Sequence, residues 1–173
     1  MPTILQVRID SHLVRGDSVR YWNGVWTKDR FIVIDDKSAA DEVLKQSWRI
    51  VTPLDTKLSV LNYEKAAEYL ADPKHYGNEK IVVFSAGIGN IARLVEAGVE
   101  FNCPINIVSP EPNGEKKIRA GRAGLSLKDV EDLHMLHDKG YKIIRHDLPE
   151  PIESEEDFYQ KLIQAENKTE EKK

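Results

Sequence analysis

Cysteine is almost absent: Cys103 is the only one in 173 residues, so no internal disulfide can form and the chain suits a reducing compartment. Long apolar runs are missing too. The longest lies around Ile81 to Gly89, far short of the ~20 residues that cross a bilayer as a helix. The start, Met-Pro-Thr-Ile-Leu-Gln-Val-Arg, lacks the basic-then-apolar order of a signal peptide, which leads to an expectation of a cytoplasmic protein. There is no basic surplus: 25 Lys and Arg stand against 29 Asp and Glu, a net charge of −4 that offers nucleic acid no general attraction. No segment repeats. What remains is 40% hydrophobic and 31% charged residues in a length that fits one globular domain.

The hydrophobic period alternates between short runs and helical spacing. Ile4 to Ile9 reads as a strand followed by a polar loop, Asp10 to Gly16; Val19, Trp22 and Trp26 then recur at helical spacing, with Asp17 or Ser18 as N-cap. Phe31 to Ile34 is a second strand. Ser38-Ala-Ala-Asp41 reads as a capping box before the stripe Val43, Leu44, Ser47, Trp48 and Val51. Leu58 to Leu61 is a third strand, and Asn62 caps a helix through Leu70. Lys80 to Phe84 carries four consecutive apolar residues, as in a strand buried on both faces. A helix from about Gly89 or Asn90 to Ala97 stops at Gly98, and Ile105 to Val108 is a fifth strand before the turn-rich loop Ser109 to Glu115. Ser126 caps a helix that ends at Gly140, and Tyr141 to His146 is the last strand. Ser154 to Asp157 opens a short helix carrying Phe158, Leu162 and Ile163. Residues 1–165 are thus expected to form the domain, and 166–173 a charged, frayed tail.

Alternating strands and helices imply an α/β fold with a mainly parallel sheet, helices on both faces and function at the carboxyl ends of the strands. The loops to inspect follow the first strand (Asp10 to Gly16), the fourth (Ser85 to Gly89) and the fifth (Ser109 to Glu115). The first is chemically the densest, with Asp10, His12, Arg15 and Asp17 just before a helix. An imidazole can attack phosphorus, and a guanidinium can hold phosphate by two bonds. The plainer reading is a solvated loop whose charges pair with each other. Gly87-Ile-Gly89-Asn-Ile-Ala92 matches the glycine pattern of dinucleotide sites, but on the fourth strand and with no acid ending the next; a tight turn explains it as well. His134 and His137 lie three apart on one helix without a second ligand pair, so a metal site is not expected. Trp22, Trp26 and Trp48 read as core rather than as a stacking platform.

Asp10-Ser-His-Leu-Val-Arg15-Gly16, followed by Val19 and Trp22, resembles the segment D-D-R-L-I-H-G-Q-V-x-x-x-W of the IIB subunits of the mannose/fructose/sorbose family of the bacterial phosphoenolpyruvate-dependent sugar phosphotransferase system. The likeness continues through Arg30 to Asp36, Ala39 to Asp41, Val51-Thr-Pro53, Phe84, Arg93 to Gly98, Asn106, Leu125-Ser126 and Asp129 to Glu131. The resemblance implies an α/β domain with a reactive loop after the first strand. There a histidine takes a phosphoryl group from a IIA subunit and passes it to a sugar held by the membrane IIC/IID subunits. It implies no cofactor, no metal and no nucleic acid. It implies a cytoplasmic protein, peripheral to the membrane through IIC/IID, and leaves open whether the chain forms a homo-oligomer.

At the position matching the family's phosphoacceptor histidine stands Arg15, and at that of its neighbouring arginine stands His12. The glycine-glycine-methionine segment after the fifth strand is replaced by Val108-Ser109-Pro110. Arginine cannot accept phosphate, because its guanidinium stays protonated. His12 is then the expected acceptor and Asp10 orients its ring. Arg15 and the backbone from Gly16 receive the phosphate, and Ser85 with the amides around Gly87 complete the pocket. The rival expectation is a phosphorylation-incompetent IIB-like module that binds partners without the chemistry; a third is a nucleotide-binding protein that uses Gly87 and Gly89.

Overall fold

The computed structural model describes residues 1–172. A seven-stranded sheet runs β3-β2-β4-β1-β5-β8-β9, formed by β1 (Thr3–Asp10), β2 (Arg30–Ile34), β3 (Lys57–Leu61), β4 (Lys80–Ser85), β5 (Ile105–Ser109), β8 (Ile143–Arg145) and β9 (Glu156–Asp157). All its pairings are parallel except the last, where β9 returns against β8. A separate antiparallel hairpin, in a stretch too short to show a hydrophobic period, joins β6 (Ile118–Ala120) to β7 (Ala123–Leu125). The helices are α1 (Gly16–Trp22), α2 (Asp36–Ala39), α3 (Glu42–Val51), α4 (Tyr63–Ala71), α5 (Ile88–Glu96), α6 (Leu127–Asp138) and α7 (Phe158–Glu171).

The sheet divides the core in two because side chains alternate between its faces. Val7, Ile9, Ile81, Val83, Ile105 and Ile107 point into the larger core, which buries Ile91 and Leu94 of α5, Leu133 and Leu136 of α6 and Phe158 and Leu162 of α7. Phe31, Val33, Val82 and Phe84 face the smaller core with Val19, Trp22 and Trp26, and Trp48 and Val51 of α3 pack against it. Trp22 and Trp26 are core, as expected, while Trp48 is only partly buried against it.

Several helix ends follow the local signals. The Asn62 side chain accepts from Lys65 N–H, and Ser126 and Asp129 form a reciprocal capping box. Gly98 and Gly140 take φ of +97° and +96°, and in each case the next amide reaches back to Leu94 or Leu136, which closes the helix. Elsewhere the caps differ from expectation. Arg15, not Asp17 or Ser18, stands at the N-cap of α1, so both lie inside the first turn. Asp35 and Asp41 cap α2 and α3 in place of Ser38, whose amide and hydroxyl both donate to Asp35. Two aspartates six residues apart outcompete the serine because carboxylates accept more strongly from backbone N–H. Residues 166–171, expected to fray, continue α7. Glu166 there accepts from His134 Nε2 at 2.7 Å, and Tyr159 bonds the other ring nitrogen at 2.7 Å. His134 thus packs on α7 half-buried, and the more exposed His137 stacks on Tyr159 with ring centroids 3.7 Å apart.

From β1 the chain moves toward β2 and β3; from β4 it crosses β1 in the opposite direction to β5. The switch point therefore lies between the carboxyl ends of β1 and β4, where Ile9 is paired with Ser85, and Asp10 on the other side with Ser109. The three loops singled out in the sequence meet there.

Candidate functional site

β1 alternates so that Val7 and Ile9 enter the larger core while Arg8 and Asp10 face α1. Both polar side chains are only 1% exposed. A buried charge is tolerated when it is paired, and both of these are. Asp10 Oδ1 accepts from His12 N–H at 2.9 Å and bonds His12 Nδ1 at 3.1 Å. Its Oδ2 has no hydrogen bond, although Arg15 Nη1 lies 3.8 Å away. One carboxylate thus stands between the imidazole and the guanidinium.

The loop that carries them is tightly wound. Leu13 N–H donates to Asp10 C=O at 2.8 Å, and Ser11 N–H to Ser109 C=O at 2.7 Å. Leu13 adopts φ of +54°, a left-handed conformation that costs a non-glycine residue about 1 kcal/mol. Burial of Leu13 and Val14 in the smaller core offsets that cost and turns His12 outward, where its side chain is 66% exposed. The loop is therefore not the wholly polar segment the sequence suggested.

Arg15 is surrounded by acid. Its Nη2 donates to Asp17 at 3.3 Å, and its Nη1 lies 3.6 Å from Asp147 Oδ2 as well as near Asp10. Partial burial works against its charge, but the Asp17 bond and the carboxylates of Asp147 and Asp10 outweigh it and hold its pKa above the usual arginine value. Arg8 behaves oppositely. Burial pushes it down to about 10, despite Asp147 and Asp10, and it stacks 5.6 Å from the centre of Trp22. Its guanidinium donates to Gln6, to the backbone carbonyls of His146 and Asp147, and to Asp147 Oδ1. Asn106 of β5 also ties the His146 backbone to this network.

Arg8, Asn106 and Asp147 were missed as site residues. A single arginine between apolar strand residues was the available signal for Arg8. Asp147 lies 139 positions from it and only the fold joins them.

Asp10, His12, Arg15 and Gly16 thus come together, with Gly16 opening α1. Ser85 and Gly87 occupy the neighbouring turn, but no hydrogen bond or ion pair joins them to Arg15 among the described residues. The Ser85 hydroxyl is fully buried and donates to Gly87 C=O at 2.9 Å, so it closes the turn. Gly87 is required by close approach: a Cβ there would sit 3.0 Å from Glu111 C=O. That is the tight turn, explained without a nucleotide. A surface cavity of about 680 Å³ lies at the opposite, amino-terminal end of β5 and β8 among Phe101, Cys103 and Tyr141, away from the loop.

A family model described as the sorbose-subfamily IIB component of the phosphotransferase system (PTS) matches residues 4–173. The chain belongs to this family. It is a IIB component of the mannose-family type. It is 28% identical over 162 residues to a fructose-specific EIIB component of Bacillus subtilis, covering 94% of this chain and 97% of that one. It is 26% identical to a mannose-specific EIIAB component of Escherichia coli over 136 residues, 79% of this chain but 42% of that protein. A solved structure described as of the phosphoenolpyruvate-dependent phosphotransferase system superposes with a TM-score of 0.79 at 27% identity, covering 94% of this chain and 98% of that one. The IIBSor domain of the sorbose permease of Klebsiella pneumoniae has the same fold, with a TM-score of 0.82 at 22% identity over 94% of this chain and 97% of that one. No helix among the described residues is long and apolar enough to cross a membrane.

Proposed function

We propose that this IIB component relays a phosphoryl group from a IIA subunit to a sugar held by membrane IIC/IID subunits, with His12 as the phosphoacceptor. One observation carries the reading: the buried Asp10 carboxylate bonds His12 Nδ1 while the ring stands exposed. A carboxylate can only accept, so Nδ1 carries the proton and the Nε2 lone pair is free to attack. Nε2 attacks the phosphorus of a phosphohistidine on IIA, and the P–N bond to the donor breaks with its electron pair returning to the donor nitrogen. A sugar hydroxyl then attacks the same phosphorus, loses its proton and displaces His12 Nε2. Arg15, with the Gly16 amide beside it, steadies the oxygens during both displacements. Ser85 and Gly87 support this pocket only by shaping the adjoining turn. Beside the loop, a groove of about 600 Å³ between α1 and the end of α3 exposes Ile50 and Leu54 between Arg20 and Arg49, a surface suited to a protein partner. Contact with IIC/IID would bring the protein to the membrane.

The test is incubation with phosphoenolpyruvate, the general PTS proteins and the cognate IIA, followed by intact mass measurement. The expected result is one added phosphate that acid removes and base does not, absent in His12→Ala. Arg15→Ala should slow the gain without abolishing it. Wild-type protein that docks IIA yet never gains phosphate would instead identify a binding module.

A further inference from the structure

Asp147 lies in the loop after β8, and its contacts divide into two groups. Its backbone carbonyl accepts from Trp22 Nε1 at 2.6 Å and from Arg8 at 3.2 Å. Its Oδ1 accepts from Arg8 at 3.3 Å and from the Ser18 hydroxyl at 3.2 Å. These bonds clamp α1 to the sheet. Oδ2 takes part in none of them and faces Arg15 Nη1 at 3.6 Å.

We infer that Asp147 is a positioning residue for phosphoryl transfer, holding Arg15 over the reactive loop through Oδ2. The inference rests on the relay reading above. Arg15 Nη2 is bonded to Asp17, which is 67% exposed and therefore a weak anchor in water. Nη1 is attracted by Asp10 and Asp147 from opposite elements of the fold without donating a hydrogen bond to either. Nη1 thus donates no hydrogen bond among the described residues, the state suited to a donor that must engage oxygens only as transfer occurs. Arg8 cannot take this role, because it is buried and fully engaged.

Asp147→Asn separates clamp from positioning. The amide oxygen can still accept from Arg8 and Ser18 and the carbonyl still serves Trp22, so the clamp's hydrogen bonds stay, while the negative charge facing Arg15, and facing Arg8 as well, is gone. Nitrogen-15 relaxation of the Arg15 side chain in the free protein should show lost order in Asp147→Asn and unchanged order in Ser18→Ala, which removes only a clamp bond. In single-turnover phosphorylation by phospho-IIA, Asp147→Asn should lower the maximal rate about 10- to 100-fold and leave the half-saturating donor concentration unchanged. In an Arg15→Ala background the same change should have no further effect. Asp147→Glu, which keeps the charge, should recover most of the rate. Unchanged Arg15 order, losses that add to those of Arg15→Ala, or a Glu variant no better than Asn would each overturn the inference. If wild-type protein takes up no phosphate, the relay reading fails instead, and the relaxation measurement alone decides whether Asp147 orders Arg15.

Discussion

A single oxygen of Asp10 holds both the backbone amide of His12, at 2.9 Å, and its imidazole Nδ1, at 3.1 Å. The two contacts fix the ring's place and its tautomer together, from a carboxylate that is itself buried at the end of the central strand. Arg15 reaches the same carboxylate from the helix side, so the imidazole and the guanidinium stand around one acid.

Asp10→Asn should therefore slow phosphorylation about a hundredfold with little loss of fold. The amide oxygen can still accept from the His12 N–H and from Nδ1–H, but the group no longer stabilises positive charge on the ring or attracts Arg15. Stopped phosphorylation followed by intact mass, with near-ultraviolet dichroism for the fold, checks both halves.

The double exchange His12→Arg with Arg15→His should raise acceptance from a IIA of another family member above that of wild type. The resemblance implies that such a donor presents its phosphoryl group to position 15, and in-line transfer tolerates roughly an ångström of misplacement. Equal or lower acceptance would place the incompatibility outside this loop.

Gly87→Ala should destabilise the protein by about 1–3 kcal/mol, because the added Cβ meets the Glu111 backbone carbonyl at 3.0 Å. Gly89→Ala meets only the end of the Asn113 side chain, at 3.4 Å, and should be tolerated far better. Urea unfolding of the two variants gives the comparison. Neither NAD nor ATP should shift the wild-type midpoint, since close packing explains the glycine pattern.

Glu79 should give the protein an acid-sensitive element away from the site. Its bonds to Arg30, the dominant cause, and to Lys57 lower its pKa from 4.5 to about 2. A depressed folded-state value stabilises the fold above about pH 4.5, and this contribution is lost as pH falls toward 2. Urea midpoints measured at pH 7 and pH 3 should therefore fall less in Glu79→Gln than in wild type.

Much of the architecture is legible because its causes are local. Ile81 to Phe84 is apolar at every position because both faces of β4 are covered. Asn62, Ser126, Gly98 and Gly140 end helices through bonds that span only a few residues. Local reading fails where signals compete, as with Ser38 between Asp35 and Asp41, and where strands are too short to show a period, as in β6 and β7. Charge on residues 166–171 suggests fraying, yet a helix with solvated outer charges persists when its inner side is anchored, here by Phe158, Leu162 and the Glu166–His134 bond.

The fold class, the family resemblance and the candidate loop can be read along the chain, since apolar periodicity and a contiguous motif are properties of neighbouring residues. What surrounds that loop depends on the folded chain. Folding buried Arg8 and Asp10 on the α1 face of β1, closed Ser85 onto Gly87 instead of toward Arg15, and brought Asp147 against Arg8, Ser18 and Arg15. Electrostatic pairing acts over a few ångströms in space and is indifferent to distance along the chain, so no local pattern records it until the sheet order sets β1 beside β4 and β5 and brings the end of β8 close to α1.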